Sequence, residues 1–321
     1  MNLLYLSDAE VRAVGLPMGE ILAALEAAFR EKGEGRAEVP PKTAIHPTPG
    51  GFLHAMPASL PAQRTAGMKW LGAYFGNSSR GLPAITGLIL LNDTETGLPV
   101  AVMDARWITA QRTGAATALS AKFLARPESR TVGVLGCGVQ ARSHVEALRE
   151  VFRISELHAF DRHPERAAAF ASEVRDRFAI DAVAVAEPHA AVSGRDIVVT
   201  AGAITRPPHG TIQAGWLSEG AFASLLDFDS FWSREALRET DKFCTDDSAQ
   251  LAKFQEMGFL QGIPPVHADL GELAVGRKPG RESPRERTIA CNLGLALEDV
   301  VTAALVYRRA IDRGLGTRLP L

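Results

Sequence analysis

The sequence runs to 321 residues, 46% hydrophobic and 22% charged, enough for two domains and a large core of the ordinary globular kind. With 35 basic against 37 acidic residues the net charge is −2, which argues against nucleic acid or an anionic membrane as partner. No apolar run approaches the length of a membrane span, and three widely spaced cysteines, Cys137, Cys244 and Cys291, fit neither a disulfide framework nor a zinc site.

The opening MNLLYLSDAEVRAVG meets charge by Asp8 and has no basic leader, so a cytoplasmic protein without a signal peptide is expected. Ser7 and Glu10 have capping-box spacing and start a short helix. Ile21, Leu22, Leu25, Ala28 and Phe29 then recur at helical spacing over 18–31. From Val39 to Tyr74 short apolar runs broken by Pro and Gly predict strands, and 84–91 with 98–104 predict a hairpin. Ile108–Leu124 reads as an alanine-rich helix.

The next stretch, RTVGVLGCGVQA over 130–141, is a strand, a glycine turn and a helix start, with the helix proper read from Arg142. Gly136 allows the sharp turn, Gly138 lets a pyrophosphate approach the backbone, Val139 and Gln140 complete the loop, and Ala141 lets helix and strand pack closely. A second strand, 156–160, ends at Asp161, 161 − 138 = 23 residues past the second glycine, where an acid binds a ribose diol. Asp161 repels a 2′-phosphate and favours NAD, whereas Arg162 beside it could pair with that phosphate and admit NADP.

A helix over 164–178, strands at 182–186, 196–200, 221–226 and 242–245, short helices at 188–192 and 247–257, and a loop-rich 264–284 follow. Alternating strand and helix periods imply a doubly wound parallel sheet, an α/β fold in which ligands lie beyond the strand ends, so Thr200 joins the cofactor candidates. A last helix spans 295–313. The nucleotide domain thus occupies 118–295, and residues 1–117 with 296–321 form one discontinuous α+β second domain.

Chemistry is sought among polar groups in apolar settings. Lys69, between Met68 and Trp70, either snorkels to solvent or sits in a cleft where burial lowers its pKa and suits proton transfer. Arg112, before Thr113-Gly114-Ala115-Ala116, has room to clamp a carboxylate or a phosphate, or else faces solvent. Asp227 and Asp229 follow a strand in SLLDFDSFW, and one of them need face a ligand. The eight histidines show no metal-like spacing, and no metal is expected.

Taken together, MPA at Met56–Ala58, GMKW around Lys69, NDTETGLPVAVMD, ITAQRTGAATALSAKFLAR, VGVLGCGVQARSH and the terminal LGLALEDVVTAALVYRRA resemble the ornithine cyclodeaminase/μ-crystallin family over nearly the whole chain. The resemblance implies a Rossmann domain beside a discontinuous catalytic and dimerisation domain, and a homodimer. It implies that Lys69 and Arg112, with Met56 and Lys42, hold a small amino-acid or imino-acid substrate, Lys69 also assisting proton transfer. Thr113 and the turn from Gly136 to Ala141 would hold the pyrophosphate and Asp161 the ribose, while Asp229 activates an amine or water.

Two departures stand out. Lys42 replaces the family's arginine, and Leu226-Asp227-Phe228 replaces a glycine-containing segment, making Asp227 a rival for the role of Asp229. The resulting expectation is an NAD- or NADP-dependent oxidoreductase, or a cyclodeaminase, working through hydride transfer at Cα and an imine. The alternatives are a non-catalytic nucleotide- or ligand-binding module of μ-crystallin type and, against the RTGAA segment, a methyltransferase.

Overall fold

The computed structural model describes residues 2–321. Strand β1 (Asn2–Leu6) leads to helices α1 (Asp8–Ala13) and α2 (Met18–Gly33), then strands β2 (Thr43–Thr48), β3 (Gly51–Leu60), β4 (Thr65–Tyr74), β5 (Ile85–Asn92) and β6 (Pro99–Asp104). Helix α3 (Arg106–Leu124) precedes β7 (Thr131–Leu135), α4 (Val139–Val151), β8 (Glu156–Phe160), α5 (Pro164–Phe178), β9 (Asp181–Ala184), β10 (Ile197–Thr200) and β11 (Phe222–Leu225). Then come α6 (Arg234–Arg238), β12 (Lys242–Thr245), α7 (Ser248–Glu256), β13 (Val266–Asp269), α8 (Leu270–Ala274), β14 (Thr288–Cys291), α9 (Ala296–Asp312) and β15 (Thr317–Pro320).

The chain forms two compact units, one running to Arg112 and resuming at Gly294, the other spanning Thr113–Leu293. The first is built on a seven-stranded sheet in the order β15-β1-β6-β5-β4-β3-β2, antiparallel except where β1 meets β6. Helix α9 packs across β3, β4 and β5, with α2 against it. One cross-strand row beneath α9 reads Leu6, Met103, Ile89, Lys69, Met56, all buried. Four of the five are hydrocarbon or thioether; the fourth in line is an ammonium.

The second unit carries eight parallel strands in the order β13-β12-β14-β11-β10-β7-β8-β9. All four residues of β10, β11, β12 and β14 are buried, as expected of parallel strands covered on both faces. The core gathers Leu135, Val198, Leu225, Trp232, Phe243 and Ile289. The strand order reverses direction between β7 and β10, which opens a ligand crevice at their carboxyl ends.

Several elements depart from expectation. Helix α4 begins at Val139, immediately after Gly138, rather than at Arg142. The stretch 264–284 is not all loop: it holds β13 and α8, the latter started by a capping box between Asp269 and Glu272. Strands β1, β14 and β15 were not anticipated. β15 is exposed throughout and owes its form to backbone pairing with β1, not to an apolar face.

Candidate functional site

In the second unit, β7 delivers the chain to Gly136, whose φ of 95° suits only glycine and whose Cα lies so near Ala201 that an added Cβ would sit 2.8 Å from its carbonyl carbon. Gly138 differs: a Cβ there would meet nothing, so open space lies over the turn. It is also the N-cap of α4, which has no side-chain cap, so the first backbone N–H groups and the positive end of the helix dipole are available to an anion. Val139 is 68% exposed, a large apolar side chain standing at the mouth of this turn. Ala141 is fully buried. The glycine turn therefore has the shape a dinucleotide pyrophosphate needs.

A groove of about 480 Å³ runs over this turn, lined among others by Gly136, Gly138, Asp161, Arg162, Arg166 and Gly202. Asp161 is held firmly: one oxygen accepts from the Cys137 amide and the other from the His163 amide, each at 2.9 Å. Arg162 donates to His163 at 3.2 Å. Burial pushes the Cys137 thiol up to about 12, so it packs and does not react. Behind the groove, Thr200 is a correction to expectation. It is fully buried, and its hydroxyl donates to Asp227 at 2.8 Å while accepting from the Trp232 indole, so the chain just beyond it, Ala201–Ala203, faces the groove instead.

Helix α4 is braced from behind. An added Cβ on Gly114 would run into the Ser143 carbonyl, so α3 and α4 cross at backbone contact beside Thr113. His144 accepts at one ring nitrogen from the Thr117 hydroxyl at 3.0 Å and donates at the other to the Gln140 carbonyl at 2.6 Å, and Thr117 in turn contacts Ser224 at 2.8 Å. Burial lowers His144 to about 4, so it is a neutral structural histidine. No cluster of His, Cys, Asp and Glu able to hold a metal occurs among the described residues.

The two aspartates after β11 are parted by Phe228, whose φ is 59° and whose ring packs on Phe254 and Phe259. Asp227 is fully buried, and burial raises its carboxyl to about 7. Asp229 instead lines a cavity of about 580 Å³ with Arg206 and Arg234; burial raises its pKa and those two guanidiniums oppose the rise.

In the first unit, Lys69 is fully buried. Its Nζ lies 2.5 Å from Asp299 Oδ2, an ion pair with neither side chain exposed to solvent. Burial first, and then the Arg112 charge, lower Lys69 to about 7; Asp299 opposes this and Lys42 adds to it. Arg112 donates from Nη1 to Glu298 at 2.6 Å and from Nε to Asp299 at 3.0 Å, and its guanidinium lies against Gly294, where a Cβ would reach Nη1 at 2.5 Å. Lys69, Arg112, Met56 and Lys42 thus share one neighbourhood, Met56 as the cross-strand partner of Lys69. Glu298 and Asp299, both fully buried, were not singled out in the sequence. The available clue was a pair of adjacent carboxylates directly before the apolar run Val300–Val306.

The model of the ornithine cyclodeaminase/mu-crystallin family matches residues 5–314. The chain is 37% identical to the nodulation efficiency protein NfeD of Rhizobium meliloti over 98% of this chain and 97% of that one. Among solved structures, an archaeal alanine dehydrogenase dimer with bound NAD superposes with a TM-score of 0.91 at 37% identity, covering 100% of both chains. The Thermococcus litoralis Delta(1)-pyrroline-2-carboxylate reductase in complex with NADH and L-proline superposes at 0.90 and 33% identity, covering 99% of this chain and 100% of that one.

Proposed function

The chain belongs to the ornithine cyclodeaminase/mu-crystallin family, and from that footing we propose that it is an NAD-dependent dehydrogenase or imine reductase of a small 2-amino or cyclic 2-imino acid. The observation that carries this reading is Lys69, an ammonium without solvent exposure paired to Asp299 and set beside Arg112 in a chain that also builds a dinucleotide turn. NAD is preferred over NADP because Asp161 is fixed in the groove and would face a 2′-phosphate with like charge.

When bound, the nicotinamide accepts or returns the hydride at substrate Cα. Gly136, Gly138 and the α4 N-terminus hold the pyrophosphate, with Thr113, Val139 and Gln140 around it and Asp161 on the ribose. Lys42 and Arg112 take the substrate carboxylate by charge-assisted hydrogen bonds, and Met56 walls the site. Lys69, with a pKa of about 7, sits where a group can both take and give a proton at the substrate nitrogen near neutral pH. Asp229, the carboxylate that faces a cavity, activates the water that adds to the imine carbon, after which the C–N bond breaks, ammonia leaves and a 2-oxo acid remains. Capture of the same imine by a substrate side-chain amine would make a cyclodeaminase.

We place the protein in the cytoplasm as a homodimer. Its three thiols are unpaired and buried, and among the described residues no helix is long and apolar enough to cross a membrane. The sheet face opposite Lys69 exposes Trp70 (39%) and its cross-strand partner Leu88 (46%), with Ile45. Such an apolar face on a sheet is suited to a second copy of the chain. A purely nucleotide-binding role is disfavoured by the four charged groups buried under α9, which a carrier has no use for.

The test is to follow nicotinamide absorbance with NAD and NADP against L-alanine, L-proline and L-ornithine, and with NADH and NADPH against Delta(1)-pyrroline-2-carboxylate. Turnover of an amino or imino acid supports the reading. Tight NADH binding without turnover across the panel would replace it by the carrier.

A further inference from the structure

We propose that Asp299 is the positioning residue of the substrate site: one carboxylate whose two oxygens take different cations, Arg112 at Oδ1 and Lys69 at Oδ2, fixing their spacing and their charge. The proposal rests on the reading of Lys69 and Arg112 given above. Its basis is geometric. Asp299 lies in the first turn of α9, fully buried, with Oδ1 3.0 Å from Arg112 Nε and Oδ2 2.5 Å from Lys69 Nζ. Neighbouring Glu298 takes Arg112 at a second point, Nη1, at 2.6 Å. Two anions from α9 thus face the cations Lys69 from β4 and Arg112 from α3.

Lys42, just before β2, is the further charge that acts on Lys69; the row neighbours Met56 and Ile89 are apolar. A buried carboxylate costs several kcal/mol unless it is paired, so two in succession in the buried first turn of α9 are hard to explain by stability alone. They are explained if the cations must be held at a set distance before substrate arrives.

The geometry also separates positioning from scaffolding. Removing the Asp299 charge while keeping its shape takes away the group that favours protonated Lys69. The pH limb of kcat that reports Lys69 then moves to lower pH in either reaction direction, whether Lys69 serves as base or as acid. A merely structural role would lower kcat by the same factor at every pH.

The experiment uses the full chain with its nicotinamide cofactor and whichever substrate of the panel is turned over. For Asp299→Asn the expected results are an acid shift of the limb by about one pH unit or more, a rise in KM of about tenfold as the cations lose their spacing, and unchanged NADH affinity. Asp299→Glu keeps the charge but not the reach, so KM rises while the limb stays near its original pH. An unmoved limb in folded Asp299→Asn overturns the proposal. If that variant does not fold, Asp299→Glu decides, and wild-type KM and kcat in it overturn the proposal equally. Lys69→Ala is the control on the reading beneath: if it stays active the functional assignment fails first, and if it is dead while Asp299→Asn behaves as wild type, only the role of Asp299 fails.

Discussion

Lys69 and Ile89 are cross-strand partners in β4 and β5, both fully buried, and an ammonium therefore occupies a position the sheet otherwise gives to hydrocarbon. Replacing it with methionine restores the apolar row but strips a cation from two buried carboxylates. Lys69→Met is expected to lose about 3–5 kcal/mol of stability, as for a broken buried pair, and Lys69→Met/Asp299→Asn to recover much of it. Both would be without turnover. Urea unfolding monitored by fluorescence, alongside the nicotinamide assay, would show whether stability and activity separate in this way.

Opposite pH dependences follow from two buried groups. Lys69 is at about 7 in the fold against an ordinary 10.5, so the unfolded chain binds more protons between those values. Its contribution therefore makes stability rise from pH 7 to 10.5, and Lys69→Met removes that rise. Asp227 is at about 7 against an ordinary 3.8, so the folded chain binds more protons there and stability falls as pH climbs from 3.8 to 7. Asp227→Asn flattens this fall. Denaturation midpoints of wild type and each variant across pH 4–10 provide the check.

The two aspartates differ in activity as well. Asp229→Asn is expected to lower kcat about a hundredfold or more, the usual scale for removing a general base, whereas Asp227→Asn keeps most turnover because its carboxyl bonds Thr200. Equal losses in steady-state assays would return Asp227 to candidacy.

The glycines of the turn separate folding from binding. Gly136→Ala meets Ala201 and a φ of 95°, costing about 1–3 kcal/mol. Gly138→Val enters open space, leaves the melting temperature nearly unchanged and blocks NADH, as calorimetry and fluorescence titration would show.

Removing the charge of Asp161 tests cofactor choice. Asp161→Asn keeps an acceptor for the turn but no longer repels a 2′-phosphate, so kcat/KM with NADP should gain on NAD by about tenfold.

The proposed dimer face is open to a direct trial. Trp70→Glu buries a charge in any sheet-to-sheet contact, and sedimentation should show monomers.

What could be read in the sequence was what is local. Gly136, Gly138 and Asp161 reveal themselves through spacing along one strand, turn and helix, and the capping box at Ser7 is complete within four residues. The state of Lys69 was open between solvent and cleft because its burial is decided by α9, which arrives from the far end of the chain. Glu298 and Asp299 looked like ordinary acids at a helix start, since nothing near them in sequence shows Arg112 and Lys69 waiting opposite. Thr200 was placed at the right strand end, but its side chain turns inward toward Asp227, a choice made by Trp232 and by the carboxyl beneath it. β15 has no apolar alternation to recognise, because only its backbone is used.

Glu298 carries two duties in one side chain: Oε1 accepts from the Leu295 amide at 3.1 Å and starts α9, while Oε2 holds Arg112. A frayed first turn of α9 and a misplaced guanidinium are therefore the same event. Gentle warming should then silence the molecule before it melts, producing an intact, nucleotide-loaded but idle species that recovers on cooling.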